Sequence, residues 1–306
     1  IPITALITAI LIAVFFIILG FGYEGVVAGL GASLSQSIYV RTSVGRVDTD
    51  LLNVGFFYLI LGLILASIKV EDKRNKLALI CMAGFFNFLF AWWYQHPGFL
   101  IPFIFTLVLL QFFNRQKLSF SIIQIILFML FSGPFFVIDS FSSIMVFINE
   151  FLLSSSKEAI TSNLLFPDTF KTITELQTLD FKEYSNVVFG KGSEWVVLFG
   201  LSGFILFILF NFNKAISMLP AILFLLMSIF VGKRFAMYAI PIYWFGVAYL
   251  FICSVLLINK TIQLSKILKI SENFSKNFWG STSTISLMFA IVISSISFCE
   301  NGNFFN

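Results

Sequence analysis

The sequence predicts an all-α integral membrane bundle of about ten spans. Three observations predict it. First, 59% of the 306 residues are hydrophobic and only 11% are charged, whereas soluble domains run near 45–50% and about 25%. Second, Phe alone fills 42 positions and the mean hydropathy is +0.99. Third, the apolar residues come in runs near the ~20 residues that cross a bilayer. A water-soluble fold is excluded, because 19 basic and 15 acidic residues cannot cover that much apolar surface. Helices remain, since they satisfy their own backbone hydrogen bonds in lipid.

The spans are read at 3–21, 25–40, 51–69, 77–94, 98–113, 118–138, 195–212, 215–231, 235–258 and 281–299. The first is a plain aliphatic and aromatic run. The second is rich in small residues (Gly25, Ala28, Gly29, Gly31, Ala32, Ser33), which suits close helix packing in lipid. The third follows Asp48-Thr49-Asp50. The fourth ends in Trp92-Trp93-Tyr94, an aromatic belt at a membrane edge by its composition. The sixth carries Gly133-Pro134, a helix breaker. A long loop, 139–194, follows. Its part 141–153 is apolar enough for a helix lying at the interface, and the rest is polar. The ninth span follows Gly232-Lys233-Arg234.

The loops alternate in charge. The set 23–24, 70–76, 114–117, 213–214 and 259–277, with Lys69 at its edge, carries 11 of the 19 basic residues and 4 of the 15 acids. The positive-inside rule makes this set cytoplasmic, so the acids gather outside. The sequons at Asn259 and Asn273 then face the cytoplasm and are chance matches. Cys81, Cys253 and Cys299 lie apart in apolar runs, and His96 is the only histidine, so neither a redox pair nor a histidine metal cluster is predicted. No basic n-region stands before the first apolar run, so that run is not read as a signal peptide.

The candidate chemistry is external. Asp48 and Asp50 stand at i and i+2, on one side of an extended segment. Two such carboxylates can share a hard cation, Mg²⁺ or Mn²⁺. They also suit a helix N-terminus with no ligand at all. Arg41 and Arg46 flank the pair and would moderate its repulsion. Lys233 and Arg234 place two cations at an outer edge, where the positive-inside rule disfavours them. They fit an anionic ligand such as a phosphate, or lipid headgroups.

Taken in order, Arg41–Asp50 (RTSVGRVDTD), Trp92–Tyr94 (WWY), Thr172–Glu175 (TITE) and Gly232–Tyr238 (GKRFAMY) resemble the catalytic subunit of oligosaccharyltransferase. The resemblance implies a GT-C glycosyltransferase-like fold. It also implies metal-dependent, inverting transfer of an oligosaccharide from a lipid-diphosphate donor to asparagine in N-x-S/T acceptors. It makes Asp48 a metal ligand for Mn²⁺ or Mg²⁺, with Asp50 beside it. Glu175 would bind the acceptor asparagine, Arg234 the donor diphosphate and Tyr94 the donor, with Arg41 supporting the acids. The implied partners are a polyprenyl-diphosphate-linked oligosaccharide, an acceptor polypeptide and the bilayer. The implied setting is the bacterial cytoplasmic membrane with an external site, or the endoplasmic reticulum with a lumenal one.

Two parts of the family pattern are not found between Ile1 and Asn306. They are a first acidic motif in an earlier outer loop and a Trp-Trp-Asp-Tyr-Gly motif in a soluble C-terminal domain. An upstream helix and that domain are therefore expected elsewhere, and this stretch alone is expected to be inactive. Residues 183–188 hold no arginine, so an acid two residues before the acceptor asparagine is not expected to be required. Two other functions fit less well. Other polytopic lipid-phosphate-sugar glycosyltransferases, for O-mannosyl or lipid A sugar transfer, share an outer acidic pair without the Thr-Ile-x-Glu loop. Secondary transporters hold their ionisable residues near the bilayer midplane.

Overall fold

The structure is a computed structural model that describes residues 2–42, 50–94, 99–143, 145, 180–230 and 235–264. Among these residues it is helical, with short connections. The helices are α1 (Pro2–Leu19), α2 (Gly22–Leu34), α3 (Gln36–Thr42), α4 (Asp50–Lys69), α5 (Lys73–Tyr94), α6 (Leu100–Phe113) and α7 (Leu118–Phe131). After α8 (Pro134–Ser143) come α9 (Phe181–Val188), α10 (Glu194–Phe210), α11 (Phe212–Ala215), α12 (Leu219–Phe230) and α13 (Ala236–Leu264).

Four helical stretches are long and apolar enough to cross a membrane: Leu52–Lys69, Lys73–Tyr94, Phe212–Ile229 and Ala236–Leu257. The bent pair α7–α8 makes a fifth if it is counted as one span. Nine of the ten expected spans coincide with helices or helix pairs, and 281–299 lies outside the described residues. Length accounts for three of the others, α1, α6 and α10. A 14-residue helix such as α6 rises only about 21 Å, short of the ~30 Å hydrocarbon core. The expected second span is also divided, because Ser35 adopts an extended conformation (φ −66°, ψ 141°) between α2 and α3.

Glycine sets how closely the helices approach. A Cβ on Gly203 of α10 would overlap the carbonyl oxygen of Gly246 on α13, and one on Gly246 would overlap that of Gly200. In α2, a Cβ on Gly25 would lie 2.6 Å from Phe16 Cβ, and one on Gly29 would strike the Ala9 carbonyl. The small-residue second span thus packs against α1 as expected. Aromatic rings fill the wider gaps. Phe16 of α1 stacks on Phe245 of α13 at 4.5 Å, and Phe207 of α10 meets Phe245 edge-on at 5.0 Å.

Residues near three of the loops assigned to the cytoplasm meet at one end of the bundle. Lys69 donates to the Ile18 carbonyl, and Lys214 lies 4.4 Å over the Phe21 ring. Both cations thus sit by the C-terminal end of α1, where the helix dipole is negative. Glu24, expected in a loop, stands instead in the first turn of α2 and is buried. Burial pushes its carboxyl above the usual carboxylate range, while its own backbone N–H and the Lys214 charge pull the other way.

The sixth span does not run straight to 138. Gly133 takes φ +88°, which favours glycine. The chain bends 94° there into α8. Phe135, Ile138 and Phe141 of α8 are 82%, 67% and 53% exposed. Ile122, Ile126 and Leu130 of α7 are exposed as well. Of the segment 141–153 expected to lie at the interface, 141–143 belong to α8, and 144 and 146–153 lie outside the described residues. Spin labels at 135, 138 and 141 in liposomes are expected to be open to oxygen at shallow depth, and a label at Asp139 open to an aqueous nickel relaxant. Nickel access at all four positions would refute an interfacial α8.

Candidate active site

Tyr94 ends α5. Its ring stacks parallel on Phe90 at 6.0 Å and meets Phe99 edge-on at 6.1 Å. Phe99, just ahead of α6, stacks on Phe224 of α12 at 4.8 Å and lies 5.1 Å from the Tyr238 ring of α13. Phe224 also stacks on Phe235 at 5.8 Å. Tyr238 reaches α4 twice, ring to ring with Phe57 at 5.2 Å and by its carbonyl, which accepts from the Tyr58 hydroxyl at 2.9 Å. One aromatic cluster therefore joins the end of the Trp-Trp-Tyr helix, the residues after Gly232-Lys233-Arg234 and the second turn of the helix that Asp50 opens.

Two further elements come to the same end. Helix α3, which carries Arg41, packs against α4 and α9. Helix α9 follows the Glu175 segment and packs against α10 and α13 as well. Its Tyr184 hydroxyl lies 2.9 Å from Ser228 Oγ of α12 and 3.2 Å from Tyr243 Oη of α13. Burial pushes the Tyr184 phenol above its ordinary value, so the hydroxyl stays protonated and able to donate. Behind it, Trp244 Nε1 donates to Ser35 Oγ at 2.9 Å, tying α13 to the break between α2 and α3.

Of the site residues expected from sequence, Tyr94 is placed in full. Arg41 and Asp50 are placed by backbone alone, in α3 and at the start of α4. Asp48, Glu175 and Arg234 lie outside the described residues, as do His96 and Cys299. Covalent connectivity still limits where the first three can reach. Asp48 is two residues from Asp50, and Arg234 is bonded to Phe235. Glu175 is five residues before Asp180, at most about 18 Å of extended chain. The starts of α4 and α13 lie at the end of the bundle that the aromatic cluster occupies. The N-termini of α4 and α13 point to that end, with the positive dipole sense that suits a phosphate.

Among the described residues, no group of three His, Cys, Asp or Glu gathers that could hold a metal. Asp48 and Asp50 offer hard carboxylate oxygens, the donor type that Mg²⁺ and Mn²⁺ accept. Cys81 and Cys253 are free. The polar side chains that tie the helices, Tyr58, Tyr184, Ser228, Tyr243 and Ser35, were not singled out from sequence. For Tyr58, Ser228, Tyr243 and Ser35 the signal is a hydroxyl inside an apolar span, which needs a partner there; Tyr184 lies in the loop read at 139–194 and carries no such signal.

No family model matches the chain. Two curated bacterial proteins do. Both are named undecaprenyl-diphosphooligosaccharide–protein glycotransferase, one from Campylobacter jejuni serotype O:2 and one from Campylobacter jejuni strain RM1221. Each is 26% identical over 267 residues, covering 74% of this chain and 36% of the relative. The chain is thus a helical membrane protein with a sequence relationship to bacterial oligosaccharyltransferases, as the four motifs indicated. It spans 36% of the length of the curated relatives it matches.

Proposed function

We propose that this chain carries membrane-embedded catalytic parts of an oligosaccharyltransferase of GT-C type. The reaction is transfer of an oligosaccharide from a polyprenyl-diphosphate donor to the amide nitrogen of asparagine in an N-x-S/T sequence. One observation carries this most directly. The aromatic cluster of Tyr94, Phe99, Phe224, Phe235 and Tyr238 brings two separated motif segments together, and Phe57 ties the helix that Asp50 opens to it. The similarity to two glycotransferases supports it.

The residue chemistry suits that transfer. A carboxamide nitrogen is a poor nucleophile because its lone pair is delocalised into the carbonyl. Carboxylates that accept hydrogen bonds from its N–H groups, Glu175 among them, hold it in place and weaken that delocalisation. The nitrogen bonds to the anomeric carbon with inversion, the bond to the diphosphate oxygen breaks, and the amide gives up a proton. Arg234 takes the diphosphate charge in its guanidinium fork. Tyr94 contacts the donor, and Arg41 moderates the repulsion of Asp48 and Asp50, which would hold a Mn²⁺ or Mg²⁺. When bound, that ion supplies Lewis-acid stabilisation of the leaving diphosphate. The site faces the exterior of the bacterial cytoplasmic membrane, on the side opposite the lysine-rich loops.

The test is transfer in vitro. Full-length protein, a polyprenyl-diphosphate glycan, a fluorescent Asn-x-Thr peptide and Mn²⁺ are expected to give a glycosylated peptide. EDTA is expected to abolish transfer, and added Mn²⁺ to restore it. Absence of transfer with both substrates and metal present would refute the proposal. Transfer that survives EDTA would refute its metal requirement.

A further inference from the structure

At the end of the bundle away from the aromatic cluster, five cations gather with nothing in the fold to answer them. Helices α5 and α7 run side by side and parallel. A Cβ on Gly84 of α5 would meet Phe128 and Phe131 of α7, and one on Gly133, just past α7, would meet the Phe88 ring of α5. Phe88 and Gly133 are 45 positions apart, and so are Lys73 and Leu118, the first residues of the two helices. The two helix starts therefore lie level, at the opposite end of α5 from Tyr94. Lys73, Arg74 and Lys76 stand in the first turn of α5, Lys117 immediately before α7, and Arg115 in the turn between α6 and α7. Lys76 is half-buried and the other four are exposed.

Little negative charge accompanies them. Neither first turn carries an acid. Glu71 and Asp72 are the acids of the connection into α5, and Asp72 Oδ2 already accepts from the Asn75 backbone N–H at 3.1 Å. None of the five cationic side chains makes a hydrogen bond or an ion pair to a described residue. Lys69 and Lys214, beside the end of α1, differ in this respect, since one donates to a carbonyl and the other covers a ring.

Arg115 is held there against backbone preference. Two bonds close α6, from Gln116 N–H to the Gln111 carbonyl at 3.1 Å and from Arg115 N–H to the Phe112 carbonyl at 3.0 Å. In this arrangement glycine ordinarily fills the left-handed position. Arg115 fills it at φ 50°, the only non-glycine residue with positive φ among those described. On the same turn Phe112 and Leu118 are 75% and 76% exposed, and Phe113 is exposed too. Apolar side chains next to cations match the boundary between acyl chains and headgroups. A soluble anion would use the cations but not the apolar side chains.

We infer that Lys73, Arg74, Lys76, Arg115 and Lys117 form a binding surface for anionic phospholipid headgroups, in the leaflet opposite the aromatic cluster. Phosphate oxygens accept from the guanidinium and ammonium groups, while Phe112, Phe113 and Leu118 lie among the acyl chains. Lipid binding at this surface does not depend on the proposed reaction.

The test titrates delipidated full-length protein in uncharged detergent with phosphatidylglycerol or phosphatidylcholine and counts bound lipid by native mass spectrometry. Wild type is expected to prefer phosphatidylglycerol by roughly 10²-fold, and an equal concentration of inorganic phosphate is expected not to displace it. One cation near an anionic lipid surface is worth about fivefold in affinity. Arg115→Gly and Lys117→Gln are thus each expected to weaken phosphatidylglycerol binding about fivefold, and the double variant about 25-fold, with phosphatidylcholine binding unchanged. Arg115→Gly also relieves the positive φ, so its thermal midpoint is expected at or above wild type, which separates lost lipid contact from lost fold. Lys117, at φ −62°, repeats the test without any backbone change and decides it should the Arg115→Gly midpoint fall. Lys182→Gln, on exposed α9, is the control for net charge and is expected to change nothing. Equal binding of the two lipids by wild type overturns the lipid surface, and so does an unchanged preference in the double variant. Displacement by inorganic phosphate overturns the lipid as occupant. A loss in Lys182→Gln equal to that in Lys117→Gln overturns the location.

Discussion

Asp48→Ala and Glu175→Ala in the full-length protein are each expected to lower N-glycan transfer by roughly 10²–10³-fold, with membrane insertion unchanged. The magnitude is that of removing one preorganised group aimed at developing charge. The two losses should differ in kind. On the proposed function Asp48 would hold the ion that stabilises the leaving diphosphate, so its removal is expected to lower kcat, with excess Mn²⁺ recovering part of it. On the same proposal Glu175 would hold the acceptor amide, so its removal is expected to raise acceptor KM as well, with no recovery by metal. Asp50→Ala belongs with Asp48→Ala, and the smaller its effect, the less Asp50 serves as a ligand. Transfer of a fluorescent peptide with each substrate varied in turn measures all three. Wild-type transfer in both Asp48→Ala and Glu175→Ala would remove these residues from the site.

Much of this architecture was legible in the sequence because a bilayer imposes simple rules. Apolar runs gave the helices, and the small residues of 25–33 gave close packing on α1, now seen as Gly25 and Gly29 against Ala13 and Ala9. Loop charge predicted which connections share an end, and Lys69 and Lys214 do meet beside the end of α1. Less was legible where a helix breaks. Gly133-Pro134 signalled a break, but its 94° turn depends on the φ that Gly133 adopts. Nothing local marks Ser35, whose Oγ accepts from a Trp 209 residues away. At the site, the motifs supplied identities, while the folded chain supplied the meeting of the Trp-Trp-Tyr helix end with the start of α13 through Phe99, Phe224 and Tyr238. Those residues look like ordinary span aromatics until the helices are packed.

Gly246→Ala is expected to be the most damaging single-methyl change in the bundle. The added Cβ would overlap the Gly200 carbonyl oxygen and lie 2.8 Å from its carbon and 3.0 Å from the Phe204 nitrogen. All three are backbone atoms of a helix, so no side chain can swing aside. Overpacking of a well-filled core costs typically 1–3 kcal/mol; here about 3 kcal/mol is expected, because α10 must move as a whole. The displacement reaches the site. α13 carries Tyr238, which braces Phe99 and Phe57, and Tyr243, whose hydroxyl lies 3.2 Å from that of Tyr184. A Cβ on Gly200 would itself meet the Tyr243 carbonyl at 2.7 Å, so both sides of this crossing are filled. The control is Gly22→Ala, with nothing within 4 Å of the new methyl, where replacing glycine in a helix stabilises by about 0.5–1 kcal/mol at most. Heat-induced loss of the monodisperse peak in detergent is expected well below wild type for Gly246→Ala and at or slightly above it for Gly22→Ala. Equal midpoints for the two variants would mean that α10 and α13 do not cross glycine on glycine.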